Sequence, residues 1–355
     1  MENLVSLAIA ATIAIAPVQS AAQDANTSFT SEELSFEVPG SEEVRLAGTL
    51  TMPQGKGPFP AVVLISGAGP HDRDSTHEGH KPFAVLAEHL SSHGIVVLRY
   101  DDRGVGGSNG DLTTASWLDL AADAEAAAHL LASSELVNTD EIGVIGHSQG
   151  GIVAPVAAAR CDCFDFLVSL AGPSTDFVEL TLRQRRQAAI AQGAPEEVVL
   201  RTEPVLAQAF AAVEASPDLE SAQEAVREVL TDEAMATLGA PPAARDVLVN
   251  QIAGETMFIA LHNQPQRSLP QVNVPVLALT GTLDSVLDAD ANLAAFVAAL
   301  SGNPDVSAIK LEGLNHFFQT ALTGEPEEYA DLEEDFAPEA LSIIAEWIGD
   351  RFGGS

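Results

Sequence analysis

Cysteine is almost absent, with two in 355 residues, Cys161 and Cys163. One residue between them makes a mutual bridge strained, and no third cysteine offers another partner, which excludes a disulfide framework. Two packed thiols are the expectation there, since a metal site would need ligands from elsewhere. Positive charge is scarce as well. Sixteen Lys and Arg, three of them lysine, stand against fifty-one Asp and Glu, giving a formal net charge of −35. Without a basic face the chain is not expected to bind nucleic acid, and the acidity speaks to solubility or a saline habitat rather than to fold.

Long apolar runs are missing beyond the first residues. Leu4 to Ala16 is apolar and is followed by Pro17 and the small residues Ser20, Ala21 and Ala22, the layout of a signal peptide and its cleavage site. Glu2 makes it atypical, as no Lys or Arg precedes the apolar stretch. At about 13 residues the stretch falls short of the roughly 20 that span a bilayer, so no stable membrane span is expected. The expectation is a signal peptide over 1–22 and a secreted or periplasmic protein.

What remains is 46% hydrophobic, enough for a large α/β domain with an insertion or for two modest domains. Ser35 to Val38 and Val44 to Thr51 alternate with period two around Pro39-Gly40, which predicts an antiparallel entry hairpin. Short apolar runs follow at Ala61 to Ile65, Ile95 to Tyr100, Ile142 to Ile145, Phe166 to Leu170, Val276 to Thr280 and Val306 to Leu311. Pro82 to His93, Trp117 to Ser133 and Ile152 to Ala159 have helical spacing between them. Strand alternating with helix predicts a doubly wound, mostly parallel sheet. From Ser174 to Gln271 the rhythm stops. That interval is rich in Ala, Glu, Gln and Arg and is broken by turn signals near Gly193, Ser216 and Gly239, as expected of several unequal helices. The resulting division is a core in two parts, 23–173 and 272–355, with a helical cap inserted at 174–271. Arg183, Arg185 and Arg186 at its start are expected on a solvated or salt-bridged helix face.

The chemistry gathers after the strands. Gly146-His147-Ser148-Gln149-Gly150 follows the run ending at Ile145 and precedes a helix, the context of a nucleophile elbow. No Lys completes a phosphate loop and no third glycine completes a dinucleotide fingerprint, so no cofactor is expected. A serine hydroxyl needs a neighbouring imidazole to take its proton. His316 is the one histidine after the last strand. The orienting carboxylate should lie between them in chain order; Asp284, nearest the end of Val276 to Thr280, is preferred over Asp288 and Asp290. For the oxyanion, the amide of Gln149 is one expected donor, and Ala68 the other, with Gly67 as its alternative in the glycine-rich loop Ser66 to Gly69. His71 to Asp74 is expected to be a salt-bridged loop holding that donor. Asp101 to Ser108 reads as a tight turn fastened by Arg103. His77-Glu78-Gly79-His80 lacks the spacing of a zinc-binding helix, and no metal site is expected.

Taken together, Ser66 to Asp74, His80 to Phe83, Leu98 to Ser108, Gly146 to Gly151, Gly281 to Asp284 and Asn315-His316 resemble the bacterial capped serine esterases of the α/β-hydrolase superfamily, the group of a Thermotoga esterase. The resemblance implies the α/β-hydrolase fold, the triad Ser148, Asp284 and His316, and a carboxylesterase whose partner is a small-molecule ester of short acyl chain. The insertion matches in placement more than in motif. Two other readings stand beside this one, a serine peptidase or amidase using the same triad and a non-catalytic periplasmic binding protein of the same fold.

Overall fold

Runs that are apolar at every position must be covered on both faces, and in this chain they form the middle of a single sheet. The computed structural model describes residues 28–41, 43–262 and 265–353. The expected signal peptide, 1–22, lies outside them. In chain order come β1 (Phe29–Glu37), β2 (Arg45–Pro53), β3 (Phe59–Ile65), α1 (Pro82–Ser92), β4 (Val96–Tyr100), α2 (Trp117–Ala132), β5 (Val137–His147), α3 (Gly150–Arg160) and β6 (Phe166–Leu170). Among the described residues there follow the helices α4 (Phe177–Ala191), α5 (Glu196–Ala215), α6 (Leu219–Val229), α7 (Asp232–Thr237), α8 (Arg245–Ile252), α9 (Glu255–His262) and α10 (Pro265–Ser268). The chain then returns to the sheet with β7 (Val276–Gly281), α11 (Ala289–Ala299), β8 (Val306–Leu311) and α12 (Pro338–Phe352).

The strands are ordered β1-β2-β4-β3-β5-β6-β7-β8. β1 with β2 and β2 with β4 pair antiparallel, and the remaining pairs are parallel. Every residue of β4, β6 and β7 is buried. One face of the sheet is covered by α2, α3 and α11, the other by α1 and α12. This is the α/β-hydrolase architecture. β5 begins five residues before its apolar run, because Val137 pairs with Phe59 ahead of a register shift in β3.

Local sequence explains α2, the helix that packs against α3. Ser116 and Asp119 close a capping box on α2, each side chain accepting from the other's amide. The buried face of α2 is Ala121, Ala124, Ala127, Ala128 and Leu131, and small side chains let α3 approach closely. The helices α5 to α9 have their own apolar cluster around Phe210, Val226, Met235, Ile252 and Leu261.

One expectation is overturned. Cys161 and Cys163 are not packed thiols but a disulfide, with Cα atoms 5.1 Å apart. Cys161 leaves α3 in extended conformation and the chain turns at Asp162 and Cys163, which brings the two Cα atoms closer than extended backbone would and lets the sulfurs meet. Among the described residues no helix is long and apolar enough to cross a membrane.

Candidate active site

The end of β5 and the start of α3 are too close for an ordinary turn. Ser148, between them, takes φ of +52°, a region that L-residues avoid. The glycines on either side make the turn possible. A Cβ at Gly146 would stand 2.1 Å from the carbonyl oxygen of Gly150, and one at Gly150 would stand 2.3 Å from that of Ile65. The strain lifts the Ser148 hydroxyl off the end of the sheet toward residues from later strands.

Those residues meet it. His316, in the loop after β8, lies with Nε2 3.0 Å from Ser148 Oγ, and its Nδ1 is 2.8 Å from Asp284 Oδ2. Asp284 leaves β7 and is buried. Its second oxygen, Oδ1, accepts from the amides of Val286 and Leu287, both at 2.8 Å. One carboxylate oxygen is thus anchored to backbone while the other faces the imidazole, which sets the ring's orientation and favours the tautomer with a proton on Nδ1. The alternatives for this position are engaged elsewhere. Asp288 caps α11 through the Ala291 amide, and Asp290 pairs with Lys310.

The glycine-rich loop after β3 abuts the nucleophile, so closely that a Cβ added to Gly67 would lie 3.4 Å from Ser148 Cβ. Among the described residues, no acceptor engages the amides of Ala68 or Gln149. The loop is held from below by two acids at the end of β4. Asp102 accepts from Ser66 Oγ at 2.8 Å and from the His71 amide at 2.9 Å, tying both ends of the loop to one carboxylate. Burial pushes the Asp102 pKa up to about 6, against the opposing pull of those two hydrogen bonds. Asp101 accepts from the Arg73 amide and guanidinium, and Arg73 also reaches Thr49 and Glu33. The His71 to Asp74 segment is therefore salt-bridged, as its composition suggests.

Arg103 fastens the neighbouring turn. Its Nε and Nη2 each donate to a different oxygen of Asp123 at 2.7 Å, inside the protein. Burial raises the Asp123 pKa while Arg103 opposes that shift. Asp123 is a residue that sequence reasoning misses; its one signal is an acid inside the alanine-rich stretch of α2, where Glu125 stands beside it as an equal candidate.

His147 is missed as well. It closes β5 and is fully enclosed, and its Nε2–H donates to the backbone carbonyl of His316 at 2.9 Å. Burial, followed by the neighbouring His316, pushes its pKa down to about 3, so the ring is neutral and Nε2 keeps its single proton for that bond. The sequence signal is position: a residue ending a central parallel strand beside a nucleophile faces the loops of later strands.

The remaining histidines have other roles. His80 pairs with Asp335, and His77 stacks on Phe317 at 4.6 Å while bridging back to His80. His262 of α9 bonds to carbonyls of Phe258 and Ser216. In the helical insertion Arg186 pairs with Glu203, and Arg185 lies over the Phe210 ring.

Comparison with known proteins gives the family and the fold. The sequence profile of the family described as Serine aminopeptidase, S33 matches residues 61–320. Esterase EstD of Thermotoga maritima is 38% identical over 135 residues, covering 38% of this chain and 32% of that protein. The match therefore spans about a third of that relative's length. Among solved structures, esterase Pf2001 of Pyrococcus furiosus superposes with a TM-score of 0.54 at 16% identity, covering 92% of this chain and 93% of that one. The α/β hydrolase GrgF of Penicillium sp. sh18 gives a TM-score of 0.54 at 16% identity, with 92% and 100% covered. At such identities these two structures speak for the fold alone.

Proposed function

The chain belongs to the family described as Serine aminopeptidase, S33, and we propose that within it this protein is a serine carboxylesterase acting on short-chain carboxylic esters. The observation that carries the reading is the buried line of hydrogen bonds from Asp284 through His316 to Ser148. Ser148 Oγ attacks the ester carbonyl while His316 Nε2 takes its proton. Asp284 stabilises the imidazolium that forms. The amides of Gln149 and Ala68 hold the developing oxyanion, with Gly67 lending the close approach of the loop. His316 then returns the proton to the leaving alcohol. Water, deprotonated by the same ring, releases the acid from the acyl-enzyme.

The test is Ser148→Ala. Hydrolysis of p-nitrophenyl butyrate should fall by about 10⁴-fold or more, with the far-ultraviolet circular dichroism unchanged. Full retained activity overturns the assignment.

The family's own description favours a second reading, cleavage of aminoacyl amides, since the same acyl transfer serves either bond. The relative named as an esterase supports the first. Rates on aminoacyl p-nitroanilides beside p-nitrophenyl esters separate them: an excess on the anilides makes the protein a peptidase. We propose export as well, on the strength of the first 22 residues. A mature N-terminus near residue 23 in secreted or periplasmic material supports it, and an intact Met1 overturns it.

A further inference from the structure

The disulfide does not stand alone. His129, in the last turn of α2, lies beside Cys161 and Cys163, and the three ligating atoms fall within 4.8 Å of one another. His129 is exposed and both cysteines are partly so, leaving the cluster open to solvent. It sits at the far end of α3 from the nucleophile, roughly 16 Å along an 11-residue helix. The catalytic machinery has no use for it. These are the chain's only two cysteines, and an imidazole, a ligand that suits copper and zinc, adjoins them.

Oxidised, the sulfurs are bonded to each other and supply no thiolate. Reduced by a dithiol, they become two thiols: one sulfur is attacked, a mixed disulfide forms, and the reductant leaves as its own cyclic disulfide after a two-electron exchange. Two thiolates and one imidazole then converge. Around a shared cation, bond lengths near 2.3 Å to sulfur and 2.0 Å to nitrogen put three donors about 4 Å apart; the imidazole nitrogen already lies within 4.8 Å of each sulfur, and the sulfurs reach that spacing once the bond between them is broken. Thiolate donors select soft cations, and three ligands complete the preferred coordination of Cu⁺, whereas Zn²⁺ would need a fourth. The reducing conditions that free the thiols also keep copper as Cu⁺. We propose that Cys161, Cys163 and His129 form a redox-gated Cu⁺ site, closed in the disulfide form and open in the dithiol form. Binding releases the two thiol protons and leaves copper at +1.

The test uses the full chain, reduced with dithiothreitol and desalted without oxygen, with thiols counted. Cu⁺ supplied as its acetonitrile complex is titrated against bathocuproine disulfonate. Reduced protein should retain one equivalent of copper and untreated protein none. His129→Ala and His129→Gln should each weaken retention tenfold or more, and Cys161→Ser/Cys163→Ser should abolish it. Three results overturn the proposal: equal retention by the oxidised chain, equal retention by both His129 variants, or preferential binding of Zn²⁺ by the reduced chain. Esterase rates play no part in this readout, so failure here leaves the catalytic reading untouched, and the reverse holds as well.

Discussion

Arg103 and Arg186 each grip a carboxylate with Nε and Nη2, yet their surroundings differ. The side chains of Arg103 and Asp123 are 7% and 2% exposed, those of Arg186 and Glu203 43% and 17%. The first pair is at the carboxyl edge of the sheet and the second in the helical insertion. Ion pairing elsewhere follows the same division. Arg73 with Asp101 is mostly enclosed near the nucleophile, while Arg227 with Asp246 lies in solvent and Arg245, itself partly covered, pairs with an Asp232 that faces water. Identical contacts therefore do different work. Under the site, removing one partner strands a charge in a poor dielectric; on the insertion, water replaces it. The edge holds its geometry through enclosed pairs, whereas the pairs among α4 to α8 have water at hand to replace a lost partner.

The largest effect is expected at Arg103. Arg103→Met should destabilise the protein by about 3–5 kcal/mol, because Asp123 is left buried without its partner. Urea unfolding measures it, and a loss below 1 kcal/mol would put the two pairs in the same class.

Asp102 sharpens the same point through pH. Its folded pKa of about 6 is above the roughly 3.9 of an unfolded aspartate. Between those values the folded chain holds a proton that the unfolded chain has lost. The stability contributed by the residue is therefore fully present below pH 4 and is lost as pH rises through 6. Relative to wild type, Asp102→Asn should gain on the order of 3 kcal/mol between pH 4 and pH 7. A difference that does not change with pH would mean that the carboxylate is solvated.

At His147 the expected effect is on rate. His147→Phe keeps an aromatic ring but removes the donor to the His316 carbonyl, so kcat on a nitrophenyl ester should fall by about 10- to 100-fold with KM little changed. Unchanged kcat would show that Asp284 alone orients the base. The smallest effect is expected in the insertion, where Arg186→Met should cost under about 1 kcal/mol and leave rates on short esters unaltered.

Much of this was legible beforehand because it is local. Wholly apolar runs give buried strands, and glycines two residues either side of Ser148 permit a backbone conformation that few other residues allow. Asp284 was legible for a different reason: the first acid after a strand end is the one short enough in reach to meet a histidine from the next. His147 and Asp123 were not legible, since a neutral histidine and a buried acid look like surface residues until the partner from another element is in place. The cysteine pair was misread because spacing alone does not give the direction in which two side chains point.

By itself, then, the sequence determined the order of strands and helices, the elbow and the type of residue on each later strand end, all consequences of short-range periodicity and steric exclusion. The tertiary structure alone decided which carboxylates are buried, what holds the oxyanion loop, and that His129 meets the disulfide. Those outcomes depend on burial and on contacts between residues far apart in the chain, such as the 168 positions separating Ser148 from His316, and no local pattern records them.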